Sequence, residues 1–315
     1  MEPSREGFII GTLVAQLEDE KTTRLAGGDT LPDETDDCLG GTMTTAVSQS
    51  SGLAPTTPAT GGRATDALLQ LDGVCKSFDG QTQVLNNVDL QIERGDFIAL
   101  IGPSGCGKST LLKLVAGLIE PTAGALNFVE EQPPVRDRLA YVFQDATLLP
   151  WLSVIDNVAM PLKIAGLERT ARLKRAQECI DLVGLSHAAD QYPRQLSGGM
   201  RMRVSIARAL TVEPALLLLD EPFGALDEMT RNTLNEELLR IREQSGWTAL
   251  FVTHSVVEAV FLASRVVVLA PTPGRIDAVL DIPLAYPRTP ATRESEAFGG
   301  LVLEVTRALH GVHHG

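Results

Sequence analysis

The chain has 315 residues, 44% of them hydrophobic and 21% charged, enough to bury a sizeable core as one large domain or two modest ones. Its 27 Lys and Arg face 40 Asp and Glu, a formal net charge of −13, which excludes a broad phosphate-neutralising face and argues against nucleic acid as a partner. No uncharged apolar run reaches the ~18 residues of a membrane span: residues 8–17 are too few, and residues 256–270 are interrupted by Glu258 and Arg265. A secretory signal fits poorly, because the first residues are not basic and no small-residue cleavage site follows. Any membrane role is expected to run through partner proteins. Cys38, Cys75, Cys106 and Cys179 are too far apart for metal-ligand spacing or a dense disulfide framework and read as reduced thiols.

Residues 1–66 are rich in Thr, Gly, Ser, Pro and Asp and hold 11 acidic and 4 basic residues. They read as a disordered, solvated extension; a start downstream of Met1, at Met43 for instance, is the simpler alternative. From about Ala67 the pattern becomes globular. Apolar runs at 68–78, 84–92 and 97–101, separated by Asp79-Gly80 and Arg94-Gly95-Asp96, predict strands. After Ile101 a glycine-rich turn leads into Leu111, Leu112, Val115, Ala116, Leu118 and Ile119 at helical spacing. Further strands are expected at 139–143, 215–219, 248–252 and 265–269. The stretch between the first two of these reads as helical, including 170–183 and 198–212, a helical insertion into an α/β core.

Residues 102–110 read Gly-Pro-Ser-Gly-Cys-Gly-Lys-Ser-Thr and satisfy G-x-x-x-x-G-K-[ST] at Gly102, Gly107, Lys108 and Ser109. A strand precedes and a helix follows, so successive backbone N–H groups and a helix N-terminus converge on one anion site. Gly102, Gly105 and Gly107 let the backbone approach phosphate with no Cβ in the way; Pro103, Ser104 and Cys106 fill the loop. Lys108 would reach the β- and γ-phosphates of a nucleotide, the Ser109 hydroxyl would ligate Mg²⁺, and Thr110 would add a phosphate contact. Cys106 reads as filler rather than a redox sensor, since nearby phosphate charge disfavours a thiolate.

The apolar run 216–219 ends in Asp220 and Glu221. At the end of a buried strand Asp220 can hold Mg²⁺ and Glu221 can polarise an attacking water. Between the two motifs stands Leu196-Ser197-Gly198-Gly199-Met200, opening a helix. Here the chain resembles the ATP-binding cassette (ABC) ATPases, whose signature is Leu-Ser-Gly-Gly-Gln. The other family motifs follow in order: Phe78 as the aromatic against adenine, Gln144 as the Q-loop, Ala225-Leu226-Asp227 as the D-loop and His254 as the switch histidine.

The resemblance covers about residues 67–270 and implies a RecA-like P-loop core with an antiparallel β-subdomain and an inserted helical subdomain at about 145–212. It places the ATPase domain at 67–290 and a C-terminal helix and tail at 291–315. It also implies ATP and Mg²⁺ as ligands, with Glu221, His254 and Gln144 as catalytic residues, and Gln144 joining Ser109 and Asp220 at the metal. Two subunits would pack head to tail, each signature closing on the γ-phosphate held by the other's loop. Ser197, Gly198 and Gly199 at a helix start suit that second anion site. Met200 replaces the usual Gln and Gly224 a common Ser, without removing a backbone donor or a carboxylate. Together with Phe143-Gln144-Asp145 and Pro222-Phe223-Gly224 they resemble the nitrate/sulfonate/taurine importer branch. The chain would then be a peripheral ATPase on the cytoplasmic face of the membrane, working with a second ATPase subunit, a permease and an extracytoplasmic solute-binding protein. The competing reading is a soluble, non-transport ABC ATPase, for which no coiled-coil insertion, zinc module or second cassette is visible.

Two residues keep alternatives. Phe78 can stack on adenine or pack in the core. Asp227 can be a helix N-cap, a D-loop contact, or both. His310, His313 and His314 read as part of a frayed end.

Overall fold

A computed structural model of the chain describes residues 66–80, 82–129 and 134–311. Apart from Asp66, the N-terminal extension expected at 1–66 lies outside them. Strands β1 (Ala67–Ser77), β2 (Gln83–Glu93) and β4 (Ala123–Phe128) form an antiparallel sheet in the order β2-β1-β4. The second sheet is built from β3 (Phe97–Ile101), β5 (Leu139–Val142), β6 (Leu216–Asp220), β7 (Thr248–Val252), β8 (Arg265–Leu269) and β9 (Ile276–Asp281). Its order is β5-β6-β7-β3-β8-β9, parallel from β5 through β8, with β9 antiparallel at the edge.

β3, β6 and β7 are buried at every position, which explains why their sequences run apolar without alternation: a parallel strand is covered on both faces. Phe97, Ala99 and Ile101 join one core, while Ile98 and Leu100 join the other beside Leu111 and Leu112 of α1 (Lys108–Val115) and the antiparallel sheet. Each fully buried apolar side chain contributes about 1.5–3 kcal/mol. The α1 helix is shorter than its apolar spacing predicts. The chain leaves it at Ala116-Gly117, where the Leu118 N–H returns to the Lys113 carbonyl (2.9 Å), so Ile119 packs on the core from beyond the helix end. β4 and β9 were not anticipated, because largely exposed edge strands carry no apolar run.

Between β5 and β6 lie α2 (Val154–Ile164), α3 (Arg169–Leu182) and α4 (Gly198–Leu210). Ser153, Glu168 and Ser197 cap their N-termini, each side chain accepting backbone N–H groups of its own first turn. After β6 come α5 (Glu228–Ser245) and α6 (Val256–Leu262), then α7 (Pro290–Arg293) and α8 (Glu296–Gly311). Buried Arg288 donates to the carbonyls of Val260, Phe261 and Ala263 at 2.9–3.0 Å. It thereby closes the C-terminal end of α6 and pins the chain beyond β9 against it. His310 belongs to the last turn of α8 rather than to a frayed tail; His313 and His314 lie outside the described residues. No helix among the described residues is long and apolar enough to cross a membrane.

Candidate active site

Strand register brings the site together. Leu100 of β3 pairs with Val252 of β7, and Val252 pairs with Asp220 of β6. The three strands therefore release their next residues at one edge of the sheet: the loop from Gly102, then Glu221, then Thr253 and His254. This is the carboxyl edge, where open α/β sheets bind ligands.

The loop is held from both sides. A Cβ on Gly107, at φ 96°, would lie 2.6 Å from Leu85 Cδ2. Gly274, from the turn between β8 and β9, is forced by proximity: a Cβ there would lie 1.9 Å from the Cys106 carbonyl oxygen. Gly274 carried no signal in the sequence, since only the folded chain brings it against the loop. Lys108 is buried, and its Nζ donates to the carbonyls of Gly102 and Pro103, both at 2.9 Å. The cation thus holds the loop curved around its amides. Burial pushes the Cys106 thiol up, against the opposing pull of Lys108, and pushes Cys179 up to about 11. Iodoacetamide at pH 8 should label the partly exposed Cys75 well before Cys106 and Cys179, read by peptide mass spectrometry. Labelling of Cys106 at the rate of a free cysteine would contradict the burial argument.

Ser109 Oγ donates to Asp220 Oδ1 at 2.8 Å, and the Tyr141 hydroxyl donates to Asp220 Oδ2 at 2.9 Å. Tyr141 was missed by the sequence reading; its phenol is pushed up by burial and by the Asp220 charge. A hydroxyl and a carboxylate in direct contact beside a phosphate loop are hard oxygen donors of the kind Mg²⁺ takes, so this pair fits the metal.

Glu221 adopts φ 48°, left-handed backbone that costs a non-glycine residue about 1–3 kcal/mol. Its N–H donates to the Val252 carbonyl (3.1 Å), and its Oε1 lies 2.6 Å from His254 Nε2. Two cavities meet at this pair. One, of about 260 Å³, is lined by Val84, Ser104, Lys108, Ser109 and Thr110 among others. The second, of about 240 Å³, contains Gln144, Arg231 and Glu258. Gln144 is held indirectly. Buried Asn157 clasps the Leu149 N–H and carbonyl (2.8 and 3.1 Å), and Arg208 donates to the carbonyls of Ala146 and Thr147 (3.1 and 2.9 Å). Burial lowers the Arg208 guanidinium to about 10.

Phe78, Leu196–Met200 and Asp227 lie apart from these cavities, whereas Gly224 lines the second. Phe78 follows β1 and is 57% exposed with Lys76 Nζ 5.2 Å from its ring centroid, so the core-packing alternative fails. Leu196–Met200 line neither cavity. Ser197 caps α4 through the Met200 N–H (3.2 Å), and a Cβ on Gly199 would lie 2.9 Å from Thr230 of α5. Asp227 caps α5, accepting from Thr230 N (3.0 Å) and Oγ1 (2.7 Å). A Cβ on Gly224 would meet the Glu221 carbonyl at an ordinary 3.4 Å, so the absence of serine there is not a steric demand.

A parallel sheet whose carboxyl edge presents a glycine-rich loop, a helix N-terminus and a strand ending in two carboxylates defines a P-loop nucleoside triphosphatase. The ABC transporter family profile matches residues 85–224. An aliphatic sulfonates import ATP-binding protein of Bacillus cereus is 44% identical over 234 residues, 73% of this chain and 91% of that protein. A nitrate import ATP-binding protein of Synechococcus elongatus is 48% identical over 229 residues, covering 70% of this chain and 35% of the relative. Among solved structures, a dimeric ATP-binding cassette in a post-hydrolysis state with ADP and Pi superimposes with a TM-score of 0.60 at 32% identity, over 69% of this chain and 100% of that one. The chain belongs to the ABC transporter family, among its ATP-hydrolysing subunits.

Proposed function

We propose that the chain powers import of a small anion or organic solute of the nitrate, sulfonate or taurine type through a separate permease. The observation that carries the ATPase part of the reading is the pair of cavities meeting at Glu221 and His254, with the phosphate loop on one side and Gln144 on the other. The import part is supported by the relatives, the sulfonate and nitrate import proteins. In this reading the amides of residues 102–110 cradle the phosphates, Lys108 reaches the β- and γ-phosphates, and Phe78 stacks on adenine. Ser109, Asp220 and Gln144 would hold Mg²⁺, which when bound neutralises charge on the phosphate oxygens. Glu221 polarises the attacking water and His254 contacts the γ-phosphate.

Leu196–Met200 line neither cavity of their own chain, which favours a head-to-tail pair of chains in which each signature meets its partner's nucleotide. Ser197→Arg should abolish the ATP-driven dimer in light scattering. The substitution loses a helix cap worth about 1 kcal/mol, too little to unfold a packed helix, so a normal dimer would refute the cross-subunit arrangement. We further propose that the pair sits peripherally on the cytoplasmic face of the membrane, docked to the permease through the segment around Gln144 and α2, and that an extracytoplasmic binding protein delivers the cargo. Deleting the coding sequence should remove uptake of labelled nitrate, bicarbonate or an alkanesulfonate. Unchanged uptake of all three would overturn the cargo class.

A further inference from the structure

Glu258 and Arg231 line the second cavity together with Gln144, Glu221 and His254, yet the proposed reaction uses neither. Glu258 is buried on α6. The Thr253 hydroxyl donates to its Oε2, and the Ser255 N–H donates to the same hydroxyl at 3.0 Å, so the residues on both sides of His254 are tied to this carboxylate. Its other oxygen, Oε1, lies 3.6 Å from Arg231 Nε, an ion-pair distance longer than a hydrogen bond. Arg231 in turn donates from Nη2 to the Leu226 carbonyl at 2.9 Å, inside the segment Ala225-Leu226-Asp227 that precedes α5. Burial pushes the Glu258 carboxyl up, and Thr253, Arg231, Asn235 and Arg293 pull it back; a charge held at that depth needs its partners in place.

We propose that Glu258 and Arg231 are positioning residues forming a mechanical joint between the D-loop segment at Leu226 and the His254 loop. Through it, movement of the D-loop segment at the subunit interface sets the placement of His254 against Glu221. The long arm of the joint is the Arg231–Glu258 contact. At 3.6 Å the two charges already attract, so the joint holds in the separate chain, and a movement of roughly 0.7 Å that closes the contact to hydrogen-bond range tightens it. The proposal rests on the ATPase reading for its consequence, but not for its geometry.

The joint is tested at both ends. In the full chain, Thr253→Val removes the hydroxyl at constant shape and Thr253→Ser retains it; Arg231→Met and Glu258→Gln cut the middle. Thr253→Val, Arg231→Met and Glu258→Gln should each lower kcat about tenfold, with the KM for ATP changed less than about twofold, the pattern of a misplaced group. Thr253→Ser should stay within about twofold of the wild type. The Arg231→Met/Glu258→Gln double variant should be no worse than its poorer parent, because both cut one link. Independently of turnover, hydrogen exchange of the nucleotide-free chain should show peptides over 222–231 exchanging at least about threefold faster in Thr253→Val, at the far end of the joint from the substitution. Unchanged exchange there, additive kinetic losses near a hundredfold, or a rise in KM that accounts for the loss would overturn the joint. Should the wild-type chain itself show no ATP turnover above Lys108→Ala, the ATPase reading fails, while the exchange measurement still decides the joint.

Discussion

Glu221→Gln should lower ATP turnover by roughly 10²–10⁴-fold, the usual contribution of a general base, while ATP affinity stays within a few-fold of the wild type. The substitution keeps the side chain's size and an acceptor oxygen for His254, which now lies 2.6 Å from Glu221 Oε1. It removes only the capacity to take a proton from water. The backbone argues the same way: Glu221 holds a left-handed conformation at φ 48° while its N–H is anchored to Val252, and such strain persists where surrounding structure fixes a side chain for use. With turnover blocked and binding intact, the ATP-bound dimer should accumulate and be visible by light scattering. Steady-state hydrolysis at the wild-type rate would remove Glu221 from the catalytic role.

Lys108→Ala acts one step earlier and should weaken ATP binding itself, by roughly 10- to 100-fold. A charge-assisted hydrogen bond contributes about 1.5–3 kcal/mol, and each 1.4 kcal/mol is tenfold in affinity. The structure adds a second contribution. Lys108 Nζ bonds the carbonyls of Gly102 and Pro103, so its loss also frees the loop that the amides must shape. Titration with a fluorescent ATP analogue, with circular dichroism to verify the fold, separates this outcome from Glu221→Gln. Unchanged affinity would count against the loop as the phosphate site. Gly224 and Met200, where the chain departs from the commonest family residues, should leave activity in place: even a Cβ added at Gly224 would meet the Glu221 carbonyl only at an ordinary 3.4 Å, and Met200 packs on the core while its N–H donates to the Ser197 hydroxyl.

The loop and the apolar strands β3, β6 and β7 were legible because each is a local pattern, as were the starts of α4 and α5 at Ser197 and Asp227. Boundaries were less so. The run of apolar residues after Lys108 continues to Ile119, but the helix stops at Val115, and Ile119 reaches the core from the turn beyond it. β4 and β9 stayed hidden because edge strands bury too little to leave an apolar run. Tyr141, Asn157, Arg208, Gly274, Arg231 and Glu258 were also missed, as each acts on a residue remote in sequence or across an element boundary.

The sequence by itself determined which chemical groups exist and the local geometry each can adopt. It specified a phosphate loop between strand and helix, two carboxylates at a strand end, and a capped helix bearing Ser197-Gly198-Gly199. Those follow from backbone sterics and hydrogen bonding within a few residues. Only the tertiary structure decided that Ser109 meets Asp220, that Glu221 meets His254 while the signature stays apart from both cavities, and that Glu258 links the His254 loop to Arg231. Those contacts depend on the register of β3, β7 and β6 and on how helices pack over it, which are set by the whole core at once.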